Sequence, residues 1–117
     1  MKSESALLLD LARAARQILA FVEGATQDAF VQDGRLQSAV LYQLAVVGEV
    51  AGRLSEAFRT EHPGVDWRGI RGLRNHILHV YDHVDLNIVW AVATRSVPEL
   101  LRYVEPLLPP EPPATGR

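Results

Sequence analysis

Apolar positions recur along this chain at steps of three and four, and no useful stretch shows the strict alternation of a strand, so every predicted element is a helix. Leu7, Leu8, Leu11, Ala14, Ala15, Ile18 and Val22 fall on one face and predict an amphipathic helix over residues 4–23. Gly24 stands where a C-terminal cap is expected, and Thr26 can open a short turn or helix after it. Asp33 is placed as the N-cap of a second long helix, striped by Leu36, Val40, Leu44, Val47, Ala51, Leu54 and Phe58, which the pattern carries to Thr60. His62-Pro63-Gly64 then breaks it. Ala45, Gly48 and Gly52 line one side of that helix with small residues. An interior glycine costs about 1 kcal/mol against alanine, so another backbone is expected to pack close there, from within the chain or from a second copy.

A third helix is predicted over residues 67–81, with Trp67, Ile70, Leu73, Ile77 and Leu78 on its apolar side. Asp85 can cap a fourth that turns Leu86, Val89, Trp90, Val92 and Ala93 inward, and Pro98 should kink it or restart it from Ser96 towards Glu105. Five of the seven prolines lie between Pro106 and Pro113, so the tail is expected to be extended or disordered rather than helical. The chain therefore divides into a helical domain, residues 1–105, and a proline-rich tail, 106–117. It shows no internal repeat. The expected fold is all-α, a bundle of four to five helices.

At 117 residues and 48% hydrophobic the chain suits one small domain, which would gain core by forming a symmetric homodimer. A net charge of −2 opposes bulk attraction to nucleic acid or anionic membrane, so any such contact must use a local basic patch. Without cysteine there are no disulfides, thiolate metal sites or thiol nucleophiles. The N-terminal Met-Lys-Ser-Glu-Ser-Ala carries an acid that a secretory signal avoids, and no apolar run approaches the roughly 20 residues of a membrane span. A cytoplasmic protein without a membrane partner is expected.

The stretch from Trp67 to Tyr81 holds three arginines and two histidines without one acid, in a chain that is acidic overall. Guanidinium forks match phosphate oxygens, and an imidazole changes charge near neutral pH. Metal-free cleavage of RNA asks for a base to take the ribose 2′-hydroxyl proton, an acid for the leaving oxygen, and a cation for the charged transition state. Histidine and arginine together supply these, although basic helix faces are more often simply solvated.

His76, His79 and His83 recur at metal-ligand spacing, but with no cysteine and no matching pair of acids, no metal and no cofactor are expected. Glu49 reads as a buried acid pairing with Arg71 or Arg74. Trp67 and Trp90 read as core anchors, Tyr42 and Tyr103 as packing residues, and His62 as a loop residue.

Arg74-Asn75-His76-Ile77-Leu78-His79-Val80-Tyr81 resembles the R-x4-H-x-Y signature of HepT-like proteins in the HEPN superfamily. Trp67-Arg68-Gly69-Ile70-Arg71-Gly72-Leu73 before it, Asp85-Leu86-Asn87-Ile88-Val89-Trp90 after it, Gly48-Glu49, and Pro98-Glu99-Leu100 are similar to the same family, so the resemblance spans residues 5–105. It implies a dimeric, metal-independent endoribonuclease toxin paired with a minimal nucleotidyltransferase antitoxin. By that resemblance Arg74 binds and polarises the scissile phosphate of an RNA substrate, and His79 is the general acid or base. Asn75, with Arg71 and His76, would position the phosphate, and Tyr81 would be the residue that the antitoxin adenylylates. The alternative is a non-catalytic helical partner that is only the nucleotidyltransferase's substrate. At about 100° per residue Arg74 and Tyr81 lie about 20° apart, but His79 lies about 140° from Arg74. Either the helix distorts or ends near His79, or the site is completed across a dimer axis, which is the favoured reading.

Overall fold

The structure, a computed structural model, describes residues 2–110, and for Val80 and Tyr81 the backbone alone. Helix α1 spans Glu4–Val22 and starts where Ser3 Oγ accepts from the Ala6 amide at 3.1 Å. It is followed by Gly24 at φ +75°, a left-handed turn that a side chain would strain. Thr26 caps a short α2 (Gln27–Gln32), and Asp33 caps α3 (Gly34–Arg53) by accepting from the Arg35 and Leu36 amides, both at 3.1 Å. These caps fall where the sequence puts them.

The long second helix does not run to Thr60. It stops at Arg53, Leu54 turns extended, and Ser55 caps a separate α4 (Glu56–Glu61) by accepting from the Phe58 amide at 3.0 Å. The cause lies far away in the sequence, near the N-terminus. Glu4 on α1 accepts from the Ser55 amide at 3.0 Å and the Ser55 hydroxyl at 2.7 Å, which fixes the backbone at the break.

Helix α5 spans Trp67–Val80 and passes into a 3-10 turn, Tyr81–His83. Asp85 caps α6 (Leu86–Ala91), as expected from the sequence. Pro98 lies in the first turn of the last long helix, which has Ser96 at its N-cap position and Glu105 at its C-cap, so the helix restarts where the sequence puts it. A π-helical segment, Val92–Ser96, joins α6 to α7 (Val97–Val104). Proline lacks an amide hydrogen and its ring collides with the carbonyl four residues back, here Thr94. The widened turn holding Thr94 absorbs that conflict. The chain stays helical beyond residue 105, in a 3-10 turn over Glu105–Leu107, and Leu107 and Leu108 pack on the core. The remainder of the proline-rich tail, 111–117, lies outside the described residues.

α1 packs against α3 and α7, and α3 carries α5 on its other flank. The centre is filled by Leu11, Ala15 and Ile18 of α1, Val40, Leu44 and Val47 of α3, Phe30 of α2, and Ala93 and Val104 of the last rod. Each large apolar side chain buried here contributes about 1.5–3 kcal/mol. Among the described side chains of α5, Trp67 and Ile77 alone are fully buried in this core, so much of its surface stays available. Trp67 is the firmer anchor: its indole N–H donates to the His62 carbonyl at 2.8 Å and its ring meets Phe58 edge-on. Trp90 packs half-buried on Phe30. His62 is more than a loop residue, since its Nδ1 lies 2.9 Å from the Tyr103 hydroxyl.

Two apolar assignments fail. Leu78 is 55% exposed, because it lies about 100° around α5 from the buried Ile77 and leaves the covered face. Tyr42, 67% exposed, is not a packing residue either, whereas Tyr103, though at the surface, sets its ring edge-on to His62 and its hydroxyl against His62 Nδ1.

Candidate functional site

The crossing of α3 on α5 is set by one glycine. A Cβ on Gly48 would stand 2.9 Å from both the Arg74 amide nitrogen and the Ile70 carbonyl oxygen, and 3.3 Å from Arg74 Cβ. Backbone therefore lies directly on Gly48, so the close approach expected from the small-residue stripe occurs within the chain. Gly52 is different. It is exposed, and its nearest neighbour outside α3 is Arg71 Nε, 3.9 Å from where a Cβ would sit.

Beside that contact, Glu49 projects from α3 between two guanidinium groups. Its Oε1 is 2.8 Å from Arg74 Nε, and its Oε2 is 3.1 Å from Arg53 Nη2. The acid belongs with Arg74, one of the two expected partners, but it is half-exposed rather than buried. Pairs this open contribute little stability. Their consequence is geometric: Glu49 grips the Nε edge of Arg74, and Nη1 reaches only a long contact of 3.5 Å with Asn75 Oδ1. Among the described residues, the outer end of the fork is left open to take two oxygens of a phosphate.

Arg74 and Asn75 line a shallow groove of about 360 Å³ with Arg68, Arg71 and Gly72 of α5 and with Glu49, Gly52 and Arg53 of α3. Four arginines thus face one carboxylate. Arg68 and Arg71 make no hydrogen bond or ion pair among the described residues. The local excess of positive charge suits an anionic ligand.

Of the residues that the sequence singles out, the structure brings Arg71, Arg74 and Asn75 to this groove. It does not bring His76 or His79 there; both are exposed on α5 outside it. α5 is regular through Val80, so no distortion carries His79 round to Arg74 within one chain. Tyr81 opens the 3-10 turn that follows, and its side chain lies outside the described residues. No three His, Cys, Asp or Glu side chains gather in metal-binding fashion among the described residues. No helix of the described chain is long and apolar enough to cross a membrane.

Arg53 is the residue that reading the sequence missed, since it stands far from the motif on another helix. Its signal was the spacing Glu49–Arg53, an acid four residues before a base, which joins them on one helix face.

A family model described as "Ribonuclease HepT-like" matches residues 11–107. The chain is 31% identical over 107 residues to "Putative RNase MJ0127" of Methanocaldococcus jannaschii, covering 92% of this chain and 88% of that one. It is 33% identical over 90 residues to "Putative RNase TTE0752" of Caldanaerobacter subterraneus subsp. tengcongensis, covering 77% and 80%. It is also 28% identical over 99 residues to "Probable ribonuclease HepT" of Thermococcus cleftensis, covering 85% and 90%. No solved structure matches the chain significantly.

Proposed function

This chain belongs to the HepT-like ribonuclease family, and from that premise we propose that it is a metal-independent endoribonuclease, the toxin of a toxin–antitoxin pair. The observation that carries the reading is the position of Arg74: fixed by Glu49 at one edge, open at the other, in a groove with surplus positive charge. Arg74 binds a non-bridging oxygen pair of the scissile phosphate, and Arg71, Asn75 and His76 position it. His79 acts as general acid or base. The ribose 2′-oxygen attacks phosphorus, its proton leaves to a base, the bond from phosphorus to O5′ breaks, and O5′ takes up a proton. Arg74 offsets the charge gathering on the phosphoryl oxygens.

The separation of Arg74 from His79 around α5 favours a homodimer in which each site takes Arg74 from one copy and His79 from the other. Leu78, exposed between these two residues in the sequence, supplies apolar area for such a contact. The expected product ends are a 2′,3′-cyclic phosphate and a 5′-hydroxyl, formed in the presence of EDTA. A 5′-phosphate product, or activity that EDTA abolishes and a divalent ion restores, overturns the mechanism.

The partner is a nucleotidyltransferase antitoxin acting in the cytoplasm, and Tyr81 is its target. Seven residues after Arg74, Tyr81 completes the R-x4-H-x-Y pattern, and an adenylyl phosphate attached there brings negative charge to the cation that RNA needs. Tyr81→Phe retains the ring but removes the acceptor hydroxyl. Co-expressed with the antitoxin, it should stay toxic where the wild type is silenced, and intact mass should show adenylyl increments on the wild type alone. Silencing of Tyr81→Phe that still depends on the antitoxin's catalytic residues places the modification elsewhere.

A further inference from the structure

Gly52 and Gly72 face the arginine groove from opposite helices, and nothing among the described residues accounts for either. Both are helical, so no left-handed backbone requires glycine. A Cβ on Gly72 meets nothing within 4 Å, and one on Gly52 meets only the Arg71 guanidinium at ordinary contact distance. An interior helical position that tolerates alanine yet carries glycine is best explained by a ligand that approaches the bare backbone. The side chains around these two glycines say which ligand. Arg53 stands beside Gly52, and Arg68 stands one turn before Gly72. Arg68 lacks any protein partner among the described residues.

We propose that the Arg53–Gly52–Gly72–Arg68 end of the groove is a second phosphodiester subsite, which holds the RNA strand beside the cleavage point at Arg74. This rests on the ribonuclease reading above and extends it from one phosphate to a track. Arg68 lies six residues from Arg74, about 9 Å along the helix axis, so the track takes more than one nucleotide of extended backbone. It recognises sugar and phosphate, not base edges, because guanidinium groups and bare peptide line it. Single-stranded RNA is the form that fits, since a strand must lie between two helices in a shallow cleft.

The test compares Arg68→Gln, Gly52→Ala and Gly72→Ala with the wild type, and also places each in a His79→Ala background for binding without turnover. On a long single-stranded oligoribonucleotide, each should weaken binding and lower kcat/KM about five- to tenfold. On a dinucleoside monophosphate, which has only the scissile phosphate, the loss should be clearly smaller than on the long strand. Arg68→Gln should also flatten the dependence of log Kd on log salt by about 0.7, the loss of one phosphate contact. The alanine variants should melt a few degrees higher than the wild type while binding RNA less well, a combination that a purely structural role for the glycines does not produce. Unchanged binding of the long strand by all three variants overturns the subsite. So does a shift in sedimentation of Gly52→Ala or Gly72→Ala, which would make the groove a contact between protein chains. If the wild type cleaves neither substrate, the ribonuclease reading fails by itself, and binding in the His79→Ala background still decides the subsite.

Discussion

His79→Ala should abolish RNA cleavage, with kcat reduced about 10²–10⁴-fold, the range supplied by one general acid–base group. Arg74→Ala should cause a loss of about 10²–10³-fold, comparable to removing a donor that faces developing charge. Neither change should lower stability much. His79 is exposed and makes no hydrogen bond among the described residues, and Arg74 gives up an open ion pair. Mixing the two dead variants separates the two possible site architectures. If each site takes Arg74 from one copy and His79 from the other, a mixed dimer keeps one intact site out of two. Random exchange makes half the dimers mixed, so about a quarter of wild-type activity should return. If both residues of a site come from one chain, the mixture stays dead. RNA cleavage retained by His79→Ala, with Arg74 intact, removes the histidine from the mechanism, whereas a wild type that cleaves no RNA leaves the non-catalytic reading, in which the chain serves only as a nucleotidyltransferase substrate.

The parts of the fold legible in the sequence were those decided within a few residues. Thr26, Asp33 and Asp85 each cap the helix that follows because a short oxygen-bearing side chain reaches amides two or three residues on. What distant residues decided was not legible. The stripe Ala51, Leu54, Phe58 keeps helical phase through the break at Ser55, so periodicity carries the helix on; the break depends on Glu4, 51 residues earlier in the chain. Pro98 signals a conflict, but its resolution by a π turn depends on where the rod packs, against α1. The site divides in the same way. Arg71, Arg74 and Asn75 could be read as one cluster because they share a helix, whereas Arg53 enters only when α3 lies across α5. The angular gap between Arg74 and His79 was also readable from spacing, and the regular helix preserves it.

Two glycines on one helix crossing should respond to alanine with opposite signs. Gly72→Ala fills open space and removes a helix-weakening residue, so the fold should gain up to about 1 kcal/mol. Gly48→Ala gains the same propensity but drives a methyl group to 2.9 Å from two backbone atoms of α5. Neither the Ile70 carbonyl nor the Arg74 amide can rotate away, because each belongs to the ladder of a regular helix. α5 must therefore shift as a body, with a net loss of about 1–3 kcal/mol, and more for the larger Gly48→Val. For a domain of this size each kcal/mol lowers Tm by about 4–8 °C. The damage should concentrate on function. α5 holds to the core mainly through Trp67 and Ile77, so moving it off α3 carries Arg74 away from Glu49 while the α1–α3–α7 packing persists. Thermal melts and amide exchange of Gly48→Ala should show the loosening first in α5, with α1 still protected, and RNA cleavage should fall more steeply than Tm. A Gly48→Ala variant with wild-type Tm and activity would mean that α3 and α5 do not meet at this glycine, and the groove built on their crossing would go with it.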